Sequence, residues 1–340
     1  MASIKVEPFS HEFVCEDGET LLEGALRNGL LLKYGCKHGG CGTCKVRLVD
    51  GNVAEQGPTF ALSAEDQAND LILPCSSIPL EPCVIDVETS GLTEDEFFSG
   101  DTSRGYDAVL GRFEVVAGDI ARVRLDLGDD EIAFTAGQFV NVEVPGTGLL
   151  RTFSLANCPA DSSVVELICK QYTDGLFARF LRDADLGTPI RLFGPYGSLK
   201  VHLSHRPIIM IAGGSGLAPL LSMLRDLAAK GSDRSVTLYF GARSEGHLYA
   251  LDDITDIGCR LPDFEFVPVL SESWSPNWTG ETGMVIDAIL RRHTTLAHDV
   301  YLCGPPPMID GAIPLLLERG VRQRNIYYDA FTPATQTVPS

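Results

Sequence analysis

No apolar run reaches the ~18 residues that a membrane-spanning helix requires, and the stretch from Pro207 to Ala212 is strand-length and ends in glycines. The opening residues Met1-Ala2-Ser3-Ile4-Lys5 show neither the basic region nor the apolar region of a secretory signal. A cytoplasmic protein without membrane attachment is therefore expected, in a compartment where disulfides are rare. Basic residues are few, since 27 Lys+Arg face 46 Asp+Glu for a net charge of −19. A field of that sign disfavours nucleic acid. There is no internal repeat, no low-complexity tract and no GxGxxG dinucleotide fingerprint.

Ten cysteines are present, and four of them carry a pattern. Cys36, Cys41 and Cys44 stand in C-x4-C-x2-C spacing and Cys75 follows after thirty intervening residues, the ligand set of a plant-type 2Fe-2S cluster. Four glycines within residues 35–42 let the backbone curl so that amide N–H groups face the cluster sulfurs. A zinc ribbon would need two CxxC pairs, and Cys75 has no such partner. Most of the other cysteines sit in apolar strand-like runs and are read as buried thiols.

At 340 residues and 44% apolar content, the chain has material for two or three packed domains. Residues 1–98 hold 17 Asp+Glu against 6 Lys+Arg, a net −11 that leaves −8 for the remainder. This acidic segment either docks on a basic patch of a redox partner or only aids solubility. It reads as strands at Ile4–Pro8, Glu12–Cys15, Lys45–Val49 and Val84–Glu88, with helices at Thr20–Asn28 and from Ser63, and Gly91 to Tyr106 reads as a flexible linker. Residues 106–203 show six strand-like runs at about ten-residue spacing, which suggests a small antiparallel barrel interrupted by one helix near Gly175. Residues 204–340 switch to apolar runs without alternation, separated by helices, the pattern of a doubly wound parallel sheet that binds a nucleotide.

Gly213-Gly214-Ser215-Gly216-Leu217-Ala218-Pro219 follows the first of those parallel strands. Such a turn brings backbone close to a pyrophosphate and opens a helix, expected near Pro219, whose free N–H groups face it. The next strand ends at Arg243, and no second cation stands close by to clamp a 2′-phosphate, so NADH is expected over NADPH. Cys303-Gly304-Pro305 ends a later strand, where ligands bind in such sheets. Arg151-Thr152-Phe153-Ser154 puts a cation, an aromatic and a hydroxyl on one barrel strand, although an ordinary amphipathic strand would look the same.

Together these segments resemble the ferredoxin-NADP reductase superfamily fused to an N-terminal plant-type ferredoxin, over nearly the whole chain. The resemblance implies an α+β and α/β multidomain protein: a β-grasp 2Fe-2S ferredoxin, an antiparallel β-barrel that binds FAD, and an NAD-binding domain. It implies that Arg151 pairs with the flavin pyrophosphate, Phe153 replaces the usual Tyr beside the ring, and Ser154 sits near flavin N5. It places Thr152, Lys170, Tyr172, Gly175 and Phe177 at the flavin, with Ala178 where the family carries Ser. It places Gly213, Gly214, Gly216, Ala218, Pro219, Arg243, Cys303, Gly304 and Pro305 at the nicotinamide dinucleotide, with Phe331 as the aromatic that the nicotinamide displaces. Gly194-Pro195-Tyr196-Gly197 matches the turn closing the barrel. The catalytic set so implied is Ser154, Cys303 and Phe331.

The order of the three segments is similar to the reductase components of bacterial multicomponent oxygenases. The ending Ile326 to Thr332 and the stretch Leu270 to Ser273 resemble those serving soluble di-iron monooxygenases, and Rieske dioxygenase systems stay open as the alternative. The implied partner is the oxygenase or hydroxylase component, with the chain itself a monomer. A non-enzymatic redox sensor and a flavin-dependent oxygenase acting directly on substrate are the other readings. Replacing Cys41 by Ser is expected to leave flavin reduction by NADH intact and abolish one-electron output, measured as oxygenase turnover; normal turnover with that variant would refute this wiring.

Overall fold

The computed structural model of the chain describes residues 1–34, 39, 42–56, 61–99, 104–197 and 199–331. Cys36 and Cys41 lie outside the described residues. Two compact units divide the chain after Arg104.

In the first unit β1 (Ala2–Glu7) and β2 (His11–Cys15) pair antiparallel with Ile4 opposite Phe13. Helix α1 (Leu21–Arg27) starts at a reciprocal cap, in which the Thr20 hydroxyl accepts from the Glu23 N–H and the Glu23 carboxylate accepts from the Thr20 N–H. Leu21, Leu22 and Ala25 are buried, and Gly24 lies so close to β2 that a Cβ there would stand 2.3 Å from Cys15 Sγ. Then follow β3 (Val46–Asp50), β4 (Val53–Glu55), α2 (Ala64–Ala68), β5 (Leu71–Ile72), β6 (Ser77–Pro79) and β7 (Cys83–Asp86). The sheet order is β2-β1-β7-β3-β5 with β1 and β7 parallel, while β4 and β6 form a separate antiparallel pair. This mixed sheet with a helix packed on β2 is the β-grasp arrangement expected from the sequence.

The linker expected from Gly91 to Tyr106 is corrected over residues 91–99 and 104–106, and residues 100–103 lie outside the described residues. A 3₁₀ turn at Glu88–Ser90 leads into α3 (Glu94–Ser99), where the Thr93 hydroxyl accepts from the Glu96 N–H. Phe97 is fully buried with its ring 5.1 Å from that of Phe9, and its carbonyl accepts from the Leu31 N–H at 2.8 Å. Lys33 donates to the Gly91 carbonyl. Within residues 93–99 the acidic and hydroxyl residues that suggested a linker are the cap and solvent face of one short helix, which Phe97 anchors.

The second unit opens with the barrel: β8 (Arg104–Ala117), β9 (Ile120–Asp126), β10 (Phe139–Val144), β11 (Leu149–Ser154), β12 (Val164–Lys170), α4 (Leu176–Asp183) and β13 (Pro189–Tyr196). The six strands run in the order β11-β10-β13-β8-β9-β12, and a Leu155–Leu167 bridge ties the two edge strands together. Leu110, Val123, Leu125, Val140, Val142 and Leu192 fill the interior. Of Gly194-Pro195-Tyr196-Gly197, where the resemblance implied a turn, the first three residues form the irregular end of β13, with Tyr196 paired to Phe139 across a register shift, and Gly197 follows the strand at φ +95°.

The nucleotide fold comprises β14 (Ile208–Gly213), α5 (Leu217–Ala229), β15 (Val236–Ser244), α6 (Leu251–Gly258), β16 (Phe264–Ser273), β17 (Glu281–Thr282), α7 (Val285–Arg292), β18 (Asp299–Gly304), α8 (Pro306–Glu318) and β19 (Ile326–Ala330). All its strands are parallel, in the order β17-β16-β15-β14-β18-β19. Strand β14 is buried on both faces: Ile208 and Met210 join a core with Leu221 and Ile254 of α5 and α6, whereas Ile209 and Ile211 join one with Ala288 and Ile309 of α7 and α8. That double burial explains the unbroken apolar run. Barrel and sheet meet at four charges, Arg122 on β9, Glu166 on β12, Arg225 on α5 and Asp253 on α6.

Replacing Phe97 by Ala is expected to cost about 3–5 kcal/mol of stability in the first unit, read as a lower denaturation midpoint; an unchanged midpoint would return the 91–99 segment to linker status.

Candidate functional site

Two of the four cluster cysteines are described, and they meet. Cys44 and Cys75 are buried, and their sulfurs are 3.3 Å apart. A disulfide would put them about 2.0 Å apart, whereas two thiolates at about 2.3 Å from one tetrahedral metal stand ~3.7 Å apart, so the pair fits a shared iron. Cys44 sits on a turn entering β3, and Gly42 just before it has φ +70°, a conformation that disfavours any side chain. Cys75 lies between β5 and β6 in a loop fastened to α1 by the Leu22 N–H, which donates to the Pro74 carbonyl, and closed on itself by the Ser77 hydroxyl, which donates to the Leu73 carbonyl. Residues distant in sequence are thus held by the same helix and sheet.

On the barrel, Arg151, Thr152, Phe153 and Ser154 occupy β11. Arg151 donates to the Leu150 carbonyl and has no carboxylate partner among the described residues, and partial burial lowers its pKa. A half-buried cation without an acid suits a diphosphate. The Thr152 hydroxyl donates to Asn141 Oδ1 at 2.7 Å, and Phe153 packs 4.9 Å from Phe177 on α4. Ser154 is buried. Helix α4 starts at Gly175 with no side-chain cap, so its first N–H groups are left for an acceptor, and the buried Ala178 offers none. Lys170 stands 5.4 Å over the Tyr172 ring and 3.5 Å from Asp119.

In the nucleotide fold the chain moves outward from β14 to β17 and then returns to β18 on the other side of β14, so the crevice between the ends of β14 and β18 is the topological switch point. Gly213 to Pro219 leaves β14 there and Cys303-Gly304-Pro305 leaves β18 there. The two loops abut, since a Cβ on Gly216 would fall 2.1 Å from the Cys303 carbonyl oxygen. Gly214 has φ +55° and open space where its side chain would be, which leaves room for a phosphate, and the Tyr249 hydroxyl holds its carbonyl at 2.8 Å. Helix α5 begins at Leu217 after a 3₁₀ turn, two residues before the expected start, so Ala218 and Pro219 lie in its first turn, where a missing N–H costs no hydrogen bond. Phe331 follows β19 and its N–H donates to the Gly304 carbonyl at 2.8 Å, which brings it to the Cys303–Gly304 corner. Cys303 is fully buried, and burial pushes its thiol well above the ordinary value, so it is neutral and no nucleophile. Asp119, Ser244, His247 and Tyr249, absent from the expected set, complete this end of the sheet; their spacing from the glycine turn carries no motif.

Three families match in chain order: a 2Fe-2S iron-sulfur cluster binding domain over residues 4–80, an oxidoreductase FAD-binding domain over 107–201, and an oxidoreductase NAD-binding domain over 210–313. The fold and these sites define a flavin- and NAD-binding iron-sulfur oxidoreductase. The reductase component of propane 2-monooxygenase from Gordonia sp. is 36% identical, covering 97% of this chain and 96% of that protein. The reductase component DmpP of phenol 2-monooxygenase from Pseudomonas sp. is 36% identical over 98% and 95% respectively. Among solved structures, the Amycolatopsis cytochrome P450 reductase GcoB superposes with a TM-score of 0.79 at 33% identity, over 98% of this chain and 100% of that one. The chain belongs to the family of reductase components of multicomponent monooxygenases. Among the described residues no helix is long and apolar enough to cross a membrane.

Alkylation of the native protein with iodoacetamide at pH 8 is expected to mark the exposed Cys259 and spare Cys303 until the protein unfolds, as peptide mass spectrometry would report; equal labelling of the two would contradict the burial of Cys303.

Proposed function

We propose that this chain oxidises NADH and passes its electrons, through FAD and a 2Fe-2S cluster, to the hydroxylase of a soluble di-iron monooxygenase. The observation that carries the reading is the buried Cys44–Cys75 pair at 3.3 Å, in a chain that also closes a glycine turn over a switch-point crevice. When bound, the flavin takes an electron pair and the cluster takes electrons one at a time.

The residues have separate tasks. Gly213, Gly214 and Gly216 give the dinucleotide phosphates access to backbone, and the first turn of α5 supplies N–H donors and the positive dipole end. Arg151 and the N–H groups opening α4 hold the flavin diphosphate, and Thr152, Lys170 and Tyr172 flank it. Phe153 and Phe177 give the flavin an apolar wall, and the Ser154 hydroxyl offers the ring a hydrogen bond. Phe331 and Cys303 exclude water from the place where the nicotinamide arrives, with Pro305 fixing the turn beside them. Cys36, Cys41, Cys44 and Cys75 hold the iron.

The acidic residues 1–98 are the docking face for the hydroxylase, and the protein acts as a cytoplasmic monomer. The domain limits 1–98, 106–203 and 204–340 belong to the same reading. A haem oxygenase is the second reading of the partner, favoured by the likeness to GcoB.

Anaerobic NADH is expected to bleach the flavin band and the cluster band of the purified protein together, followed by absorption. Electron delivery to a di-iron hydroxylase is expected to slow several-fold between 0.05 and about 0.5 M salt, as screening cuts the attraction of the acidic face. A salt-independent rate would remove that face from docking, and transfer to a haem oxygenase alone would favour the second reading.

A further inference from the structure

In a doubly wound sheet the adenosine ribose is read at the end of the second strand, which here is β15 and carries Arg243 and Ser244 at its end. A cation at this place would by itself invite a 2′-phosphate. Arg243 is not by itself. Its Nη2 lies 3.5 Å from Asp119 Oδ2 and 3.0 Å from His247 Nε2.

Arginine only donates, so His247 Nε2 accepts, and the hydrogen on Nδ1 is donated to Ser244 Oγ at 2.7 Å. The carboxylate comes from the other domain, on the turn between β8 and β9 of the barrel. Two contacts fix that turn. The Gln171 N–H donates to the Asp119 carbonyl at 2.6 Å, and a Cβ on Gly118 would fall 2.8 Å from His247 Cδ2, so a bare backbone lets the barrel turn reach the nucleotide strand. Lys170 also lies 3.5 Å from Asp119, so the one carboxylate is shared by both nearby cations.

We propose that Asp119 is a specificity-determining residue: by engaging Arg243 across the domain boundary it makes the chain reject a 2′-phosphate, and so select NADH over NADPH. The proposal rests on the reading of this fold as the dinucleotide site. A 2′-phosphate must displace the carboxylate from Arg243 and remain beside it, and like charges a few ångströms apart repel strongly enough to cost about tenfold in affinity. The unphosphorylated ribose meets neither demand.

The test compares 5′-ADP with 2′,5′-ADP by calorimetric titration of the holoprotein, and NADH with NADPH in ferricyanide reduction. Asp119→Asn is expected to shift the ratio of the two ADP dissociation constants about tenfold toward 2′,5′-ADP, with the NADPH-to-NADH ratio of kcat/KM moving the same way. Asp119→Ser should repeat the shift, and Arg243→Gln added to Asp119→Asn should cancel it. Ratios unchanged in both Asp119 variants, with flavin absorbance intact, would overturn the proposal. Failure of the wild-type chain to bind either nucleotide would instead overturn the dinucleotide reading on which it rests.

Discussion

Four side chains in a ring set the geometry on which the reductase half depends. Arg122 and Arg225 alternate with Glu166 and Asp253, at 2.9 Å from Arg122 to Glu166, 2.8 Å from Arg122 to Asp253 and 2.9 Å from Arg225 to Glu166. Each charge therefore has two opposite neighbours. Burial by itself would raise the Asp253 carboxyl, but hydrogen bonds and charge from Arg122 and Arg225 hold it below its ordinary value and keep it ionised. Arg225 also donates to the Ala156 carbonyl and Ser222 to the Asn157 carbonyl, both at 2.7 Å, so the connection leaving β11 is pinned to α5. A partly buried network of this kind fixes orientation more than it adds stability.

That fixed orientation matters because the two halves of the site come from different folds. The barrel contributes a strand whose Arg151 has no carboxylate partner among the described residues and a helix start without a side-chain cap; the sheet contributes a glycine turn and the β18 corner. The same join lets the turn at Gly118–Asp119 reach His247 and Arg243. Selectivity for the dinucleotide then becomes a property of the interface between domains, where a single carboxylate is positioned by backbone contacts on one side and acts on a cation from the other.

Much of this was legible beforehand. The six barrel strands and the five longer parallel strands appear where alternation and its absence put them, because one-sided and two-sided burial leave different periods in the sequence. The cap pairs Thr20–Glu23 and Ser63–Asp66 mark their helices. Short elements were not legible. Strands β4, β5, β6 and β17 span two or three residues each, too few to show a period. Helix α3 hid in acidic, hydroxyl-rich sequence because its evidence is one buried phenylalanine whose partners lie far away in the chain. Asp119 and His247 were missed because 128 positions separate them in the numbering and neither belongs to a local motif.

The cysteine spacing, the glycine turn and the switch from alternating to continuous apolar runs are local patterns, so residue order alone determined the three domain types and the cofactors they bind. Tertiary structure decided which of those residues are partnered. Only folding could show that Gly216 must lack a side chain because of a carbonyl on β18, and that Arg243 is already engaged by a carboxylate from another domain. Hydrogen bonds and charge pairs act over a few ångströms, and the chain separations they bridge here leave no mark on the sequence between them.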